Sequence, residues 1–205
     1  MDSIFIFLSQ IVFWGLSIYE WIIIIAIIVS WVSPDPSNPI VQFLNRMTHP
    51  LWGYLAGRLP SALSPFSAYA SLLLIWFLKV FLPGTILSLG SLVNGEVGMD
   101  SFLLRVVGFF LLGFAFVLQN FLFFLMFLLL IWFFMTLISP SINNPIIRTL
   151  VILVDPFITP IQRRLPRSRI DFSPIIAAGI FFLINQFLVS TLGAYAAQLA
   201  HRGSL

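Results

Sequence analysis

The chain has 205 residues, of which 60% are hydrophobic and only 8% are charged. Soluble domains contain roughly 45 to 50% apolar and about 25% charged residues, so ten basic and seven acidic side chains are too few to solvate a surface. The sequence therefore excludes a soluble enzyme and predicts an all-α integral membrane protein. The absence of cysteine excludes disulfides, thiolate nucleophiles and thiolate metal sites.

Four long apolar segments predict about four membrane crossings. The first covers about residues 4–32 and the second about 66–87. As one helix, the apolar stretch 102–138 would rise about 55 Å, nearly twice the thickness of the hydrocarbon core. We therefore expect an interfacial segment near Gly108 and Gly113 that bends into a span over about 114–138. The fourth crossing covers about 173–197 and returns both termini to one side.

The sequence repeats itself at an offset of 106 residues. Residues 33–60 and 139–166 share 10 identities in 28 positions without a gap, and many of them are prolines. The copies are predicted to occupy 1–100 and 101–205, each a span, a connector (33–65 or 139–172) and a second span. Two crossings per unit make the repeats parallel, unlike the inverted repeats of many secondary transporters.

Basic residues concentrate in the connectors, which predicts the topology. Seven of the ten cations lie there, and only Arg105 and Arg202 lie on the opposite face. Under the positive-inside rule, both connectors are cytoplasmic and both termini periplasmic. The seven connector cations, which are also candidate contacts for anionic lipid headgroups or partners, are Arg46, Arg58, Arg148, Arg163, Arg164, Arg167 and Arg169.

Each connector has apolar residues at helical spacing and a central proline, Pro50 or Pro156. We expect each proline to divide its connector into a hairpin of two short amphipathic helices. Such a hairpin either lies in the headgroup layer, which we favour, or folds back between the spans.

Paired proline motifs occur in the same order in both copies. The motif residues are Asn38, Pro39, Pro50, Pro60, Asn144, Pro145, Asp155, Pro156, Pro166, Asp171, Ser173 and Pro174. This pattern resembles the YggT family over nearly the whole chain. Proteobacterial members of that family are similarly duplicated, whereas relatives of the YlmG type carry one copy. The copies here have diverged, because the first lacks a counterpart of Asp171.

The resemblance implies a multi-pass protein of the bacterial inner membrane without an established enzymatic reaction. Members of the family have been linked to osmotic adaptation, to division and nucleoid organisation, and to haem attachment in plastids. None of these links names a catalytic residue or a cofactor for this chain.

Glu20 and Lys79 are the two charged residues predicted inside spans, which makes them functional candidates. Glu20 lies 13 residues before the first connector and Lys79 lies 14 residues after Pro65, about 20 Å along each helix. They are therefore expected at one level on antiparallel neighbours. We favour an ion pair that fixes helix docking over a proton or cation pathway.

The remaining candidates are weaker. His49 is the better of two histidines for ligating haem, yet it lies outside the spans, and no metal site is predicted. Asp171 is expected to cap the helix that begins at Ser173, and no base lies near Ser173 in sequence to make it a nucleophile. Nucleic-acid binding is not expected, because the connector arginines lack an aromatic stacking platform.

These observations favour a non-enzymatic scaffold or assembly factor that requires no cofactor. Its expected partners are anionic lipid and other membrane proteins or further copies of itself. The alternatives are an ion or osmolyte conduit that uses Glu20 and Lys79 and, third, a haem-assembly factor.

Overall fold

The computed structural model describes residues 2–32, 35–138, 144–165 and 171–201. Within these ranges the regular secondary structure is helical and contains no strand. The helices are α1 (Asp2–Trp31), α2 (Pro39–Ala56), α3 (Ser67–Val93), α4 (Met99–Ile138), α5 (Pro145–Gln162), α6 (Ser173–Ile184) and α7 (Ser190–Ala200). A 3-10 turn, Ser64–Phe66, precedes α3, and a π turn, Asn185–Val189, joins α6 to α7.

Four of the described helical segments are long and apolar enough to cross a membrane. They are α1, α3, α4 and the run from Ser173 to Ala200 that contains α6 and α7. The predicted all-α membrane fold with four crossings is confirmed. The predicted division of the repeats at residue 100 stays a prediction.

The expected bend after Phe102 is wrong, because α4 is a single helix of 40 residues. Gly108 and Gly113 do not break it and instead allow close helix packing. A β-carbon on Gly113 would lie 2.9 Å from the Phe77 ring, and one on Gly108 would overlap the backbone of Ala200. These two glycines therefore do not break the helix; they let neighbouring helices approach closely.

The expected proline-hinged hairpins are also wrong. Pro50 lies inside the continuous helix α2, and Pro156 and Pro160 lie inside α5. An internal proline removes one backbone hydrogen bond and bends the helix, but the neighbouring bonds and the buried inner face remain. Each connector therefore contains one 18-residue amphipathic helix.

Contacts divide the described residues into two compact units. The first contains those within Met1–Ser30, Pro34–Val117 and Thr191–Leu205, and the second contains those within Trp31–Ser33 and Leu118–Ser190. In the first unit, α2 packs against α3 and also contacts α1, where the Tyr19 hydroxyl donates a hydrogen bond to the Met47 carbonyl at 3.1 Å.

In the second unit, α5 packs against α6 and the second half of α4. The buried residues of this core are Leu128, Leu129, Leu150, Val154, Ile158 and Ala177. The Phe157 and Phe181 rings meet edge to face at 5.3 Å between α5 and α6. Each connector helix thus lies against spanning helices of its own unit.

The two connector helices bury three equivalent positions. Val41, Leu44 and Thr48 of α2 are buried, and so are Ile147, Leu150 and Val154, which lie 106 residues later in α5. Thr48 satisfies its hydroxyl within the helix by donating to the Leu44 carbonyl at 2.9 Å. The repeat seen in the sequence therefore extends to the packing of each connector.

Candidate functional site: an intramembrane charge cluster and capped connectors

Glu20 of α1 and Lys79 of α3 form an ion pair in the first unit. The Lys79 Nζ lies 2.6 Å from Glu20 Oε2, and the two side chains are 17% and 15% exposed respectively. The other carboxylate oxygen, Oε1, accepts a hydrogen bond from Trp76 Nε1 at 2.8 Å. Both oxygens of the carboxylate are therefore engaged, which offsets part of the cost of burying its charge.

Helix geometry explains why this cluster forms. Trp76 and Lys79 are three residues apart and so share one face of α3. Close packing continues along the same pair of helices, because a β-carbon on Gly90 of α3 would lie 2.8 Å from Phe5 of α1. The Phe13 ring adds a cation–π contact, with its centroid 5.3 Å from Lys79 Nζ.

Trp76 was not a candidate from the sequence. An indole three residues before an intramembrane lysine supplies a hydrogen-bond donor to the same carboxylate, and that spacing is the signal that could have identified it. At the offset of 106 residues the second copy has Met126 in place of Glu20 and Asn185 in place of Lys79. At the offset of 109 residues, which aligns Ser64-Pro65 with Ser173-Pro174, the counterpart of Lys79 is Leu188. The charge pair is therefore specific to the first copy.

Arg105 is a further charged residue inside a spanning helix. It is only 9% exposed, and its Nη1 donates to the Ser91 hydroxyl at 2.9 Å across the α3–α4 pair. The sequence predicted that this arginine lies in a segment at the membrane surface. The structure shows it buried among neighbouring helices of the first unit.

The Asn-Pro-Ile motif begins both connector helices. Asn38 Oδ1 accepts the backbone N–H of Ile40, and Asn144 Oδ1 accepts that of Ile146, each at 2.9 Å. The proline that follows each asparagine occupies the first turn, where its missing N–H costs nothing. The repeated motif is therefore a pair of helix N-caps.

Asp171 joins the end of α5 to the start of α6. Its Oδ1 accepts the Ser173 backbone N–H at 2.9 Å, and its Oδ2 accepts a hydrogen bond from Gln162 Nε2 at 2.5 Å. Partial burial raises the pKa of Asp171, but the hydrogen bonds from Ser173 and Gln162 outweigh it and hold the pKa below its ordinary value. Ser173 and Pro174 are buried beside this junction.

The other sequence candidates are dispersed. His49 is exposed on α2, and Asp155 of α5 accepts a hydrogen bond from the Thr159 hydroxyl at 2.8 Å. Pro60 follows the end of α2 and precedes the 3-10 turn. Pro166, Arg167 and Arg169 lie outside the described residues.

The described connector cations all point away from the packed core. Arg46, Arg58, Arg148, Arg163 and Arg164 are exposed, and the Arg58 guanidinium lies 3.6 Å from the centroid of the Tyr54 ring. Among the described residues, no group of three His, Cys, Asp or Glu side chains is arranged to hold a metal ion.

Both copies match one family model. The CCB3/YggT model aligns with residues 5–86 and again with 111–192, so the second match begins and ends 106 residues after the first. The chain belongs to the CCB3/YggT family. The family resemblance seen in the proline motifs is confirmed, and the model's offset equals the offset of those motifs.

Relatives from three Escherichia coli strains are similar to the chain over most of its length. The proteins named "Uncharacterized protein YggT" in strains K12, O6:H1 and O157:H7 are 28% identical over 199 residues, which is 95% of this chain and 93% of each relative. No solved structure matches the chain. The names of these relatives state no activity.

Proposed function

We propose that this protein is a non-enzymatic scaffold or assembly factor of the bacterial inner membrane. Both connectors face the cytoplasm, and both termini face the periplasm. The connectors contact anionic lipid, and the outward faces of the spans contact other membrane proteins or further copies of the chain.

The proposal rests on the pairing of the intramembrane charges with groups on neighbouring helices. Beyond the first turn of each described span, the charged residues are Glu20, Lys79 and Arg105, and each has a hydrogen-bonded partner on a neighbouring helix. An ion path needs polar groups that exchange partners with the moving ion. Charges that already have partners instead support fixed helix packing, as expected for a scaffold.

The outward surface of the second unit suits contact with apolar helices. Phe123, Phe127 and Phe134 recur on one side of α4 at spacings of four and seven residues, with exposures of 50%, 62% and 60%. Because lipid tails are as apolar as these rings, helix association here would depend on shape and van der Waals packing. We call these three residues the α4 phenylalanine stripe.

Site-specific photocrosslinking in native membranes tests the proposal. A photoreactive phenylalanine analogue at Phe127 is expected to give one discrete protein adduct at endogenous expression. The same analogue at Phe182, which is 56% exposed on α6, is the matched control for an exposed ring outside the stripe. Adducts identical at both positions, or no protein adduct at either position, would contradict a specific partner surface.

The purified protein provides the second arm of the test. Proteoliposomes containing the protein are expected to show the same K⁺ and osmolyte flux as empty vesicles. Flux that is abolished by Glu20→Gln would refute the scaffold and support a conduit.

A further inference from the structure

Beyond its packed inner face, α2 has a second apolar face that is largely exposed. Ile40, Phe43, Met47 and Tyr54 recur at spacings of three, four and seven residues and are 66%, 55%, 40% and 54% exposed. We call these four residues the α2 outer stripe. It lies beside the buried positions Val41, Leu44 and Thr48 and away from the polar positions Gln42, Asn45 and His49.

A cation is held at the C-terminal end of this stripe. Arg58 lies four residues after Tyr54, and its guanidinium carbon is 3.6 Å from the centroid of the Tyr54 ring. Stacking on the ring face orients the planar guanidinium, while its N–H donors point outward from its edge. No aspartate or glutamate occurs between residues 36 and 95, so the sequence supplies no nearby carboxylate.

The stripe and the cation together match the two parts of a phospholipid. From Ile40 to Tyr54 the stripe is about 21 Å long, compared with about 15 Å for one leaflet of hydrocarbon. A lipid phosphate can accept the edge N–H groups of Arg58, and an acyl chain can lie along the stripe. We propose that α2 binds one anionic phospholipid, with its phosphate at Arg58 and one acyl chain against the α2 outer stripe.

The second copy of the connector serves as an internal comparison. Phe43, Tyr54 and Arg58 correspond to Thr149, Pro160 and Arg164 at the offset of 106 residues. Arg164 is exposed but has no aromatic ring four residues before it, and the outer face of α5 has lost two large side chains. The buried inner faces agree while the outer faces differ, which assigns the lipid site to α2.

Native mass spectrometry of the full-length purified protein tests this site. The probes are dioleoyl phosphatidylglycerol and dioleoyl phosphatidylcholine, which share acyl chains and differ in headgroup charge. The unmodified protein is expected to retain phosphatidylglycerol preferentially. Arg58→Gln is expected to lower that retention by about tenfold, the effect of one charge-assisted hydrogen bond. Tyr54→Leu removes the ring that orients the guanidinium and is expected to lower retention by about threefold.

Matched controls separate a built site from diffuse attraction. Tyr54→Phe keeps the ring, and Arg46→Gln removes a cation of α2 outside the stripe, so both variants should stay within about twofold of the unmodified protein. A loss in Arg46→Gln as large as in Arg58→Gln would overturn the proposal. Equal retention of the two lipids by the unmodified protein would also overturn it, even if a variant failed to fold.

The acyl contact has its own test. Dihexanoyl phosphatidylglycerol carries the same headgroup on short chains and is expected to bind much more weakly than the dioleoyl lipid. Equal binding of the two would exclude the stripe from the site. The inference rests on the proposed exposure of the connectors to lipid headgroups and is independent of partner proteins, so failed lipid binding and a failed crosslink are distinguishable.

Discussion

Removing one member of the Glu20–Lys79 pair should destabilise the fold far more than removing both. Glu20→Met leaves Lys79 unpaired in a low-dielectric site, which costs about 3 kcal/mol, and deprives the Trp76 N–H of its acceptor, which costs about 1 kcal/mol more. We therefore expect a loss of about 4 kcal/mol. Lys79→Leu should cost somewhat less, because Glu20 keeps the Trp76 hydrogen bond.

The double variant Glu20→Met with Lys79→Leu places in the first copy the residues that the second copy has at Met126 and Leu188. It should lie within about 1.5 kcal/mol of the parent, since replacing a buried ion pair by apolar residues is often nearly neutral. The assay is reversible unfolding in mixed micelles with increasing dodecyl sulfate, with Trp76→Phe as a control for the indole bond. Additive single losses in the double variant would refute the coupling.

Three further outcomes follow from the described contacts. Asn38→Ala and Asn144→Ala should each lower the free energy of unfolding by about 1 kcal/mol, and replacement of either asparagine by serine should lower it less. Circular dichroism during unfolding measures the helix content. Gly108→Ala should destabilise by about 1 to 3 kcal/mol because its methyl meets the Ala200 backbone, whereas Gly179→Ala, with no atom within 4 Å, should cause no loss in the same unfolding assay. The pKa of Asp171 is lower in the folded state than in the unfolded state. The carboxylate therefore stabilises the fold fully above about pH 4, and this stabilisation is lost as the pH falls through the folded-state pKa. Asp171→Asn should remove this part of the acid sensitivity in thermal unfolding.

The level at which Glu20 and Lys79 meet was accessible from counting residues. Both spans start from the same connector, so similar distances along antiparallel helices place the side chains together. The same count did not identify Trp76, because it places the two charges and not the donors around them; among the six tryptophans only the spacing of three residues before Lys79 distinguishes Trp76. Its role depends on the rotation of α3 that turns the indole towards Glu20.

Prolines and glycines were misread for a related reason. Pro50 and Pro156 signal a break when local propensity is considered alone, yet the packed inner faces hold α2 and α5 as single helices. Gly108 and Gly113 likewise signal a bend in isolation, whereas their neighbours Ala200 and Phe77 come from distant parts of the chain. Tertiary contacts of this kind cannot be deduced from residue spacing.

The unbroken length of α4 creates a hydrophobic mismatch. Its 40 residues rise about 60 Å, twice the hydrocarbon thickness of about 30 Å. Even at a tilt of about 40°, the upper end of the usual range, the helix extends about 46 Å along the membrane normal and reaches through both headgroup layers. A change in bilayer thickness would therefore alter how much apolar surface of α4 contacts water, which gives this helix a free energy that depends on the thickness of the membrane around it.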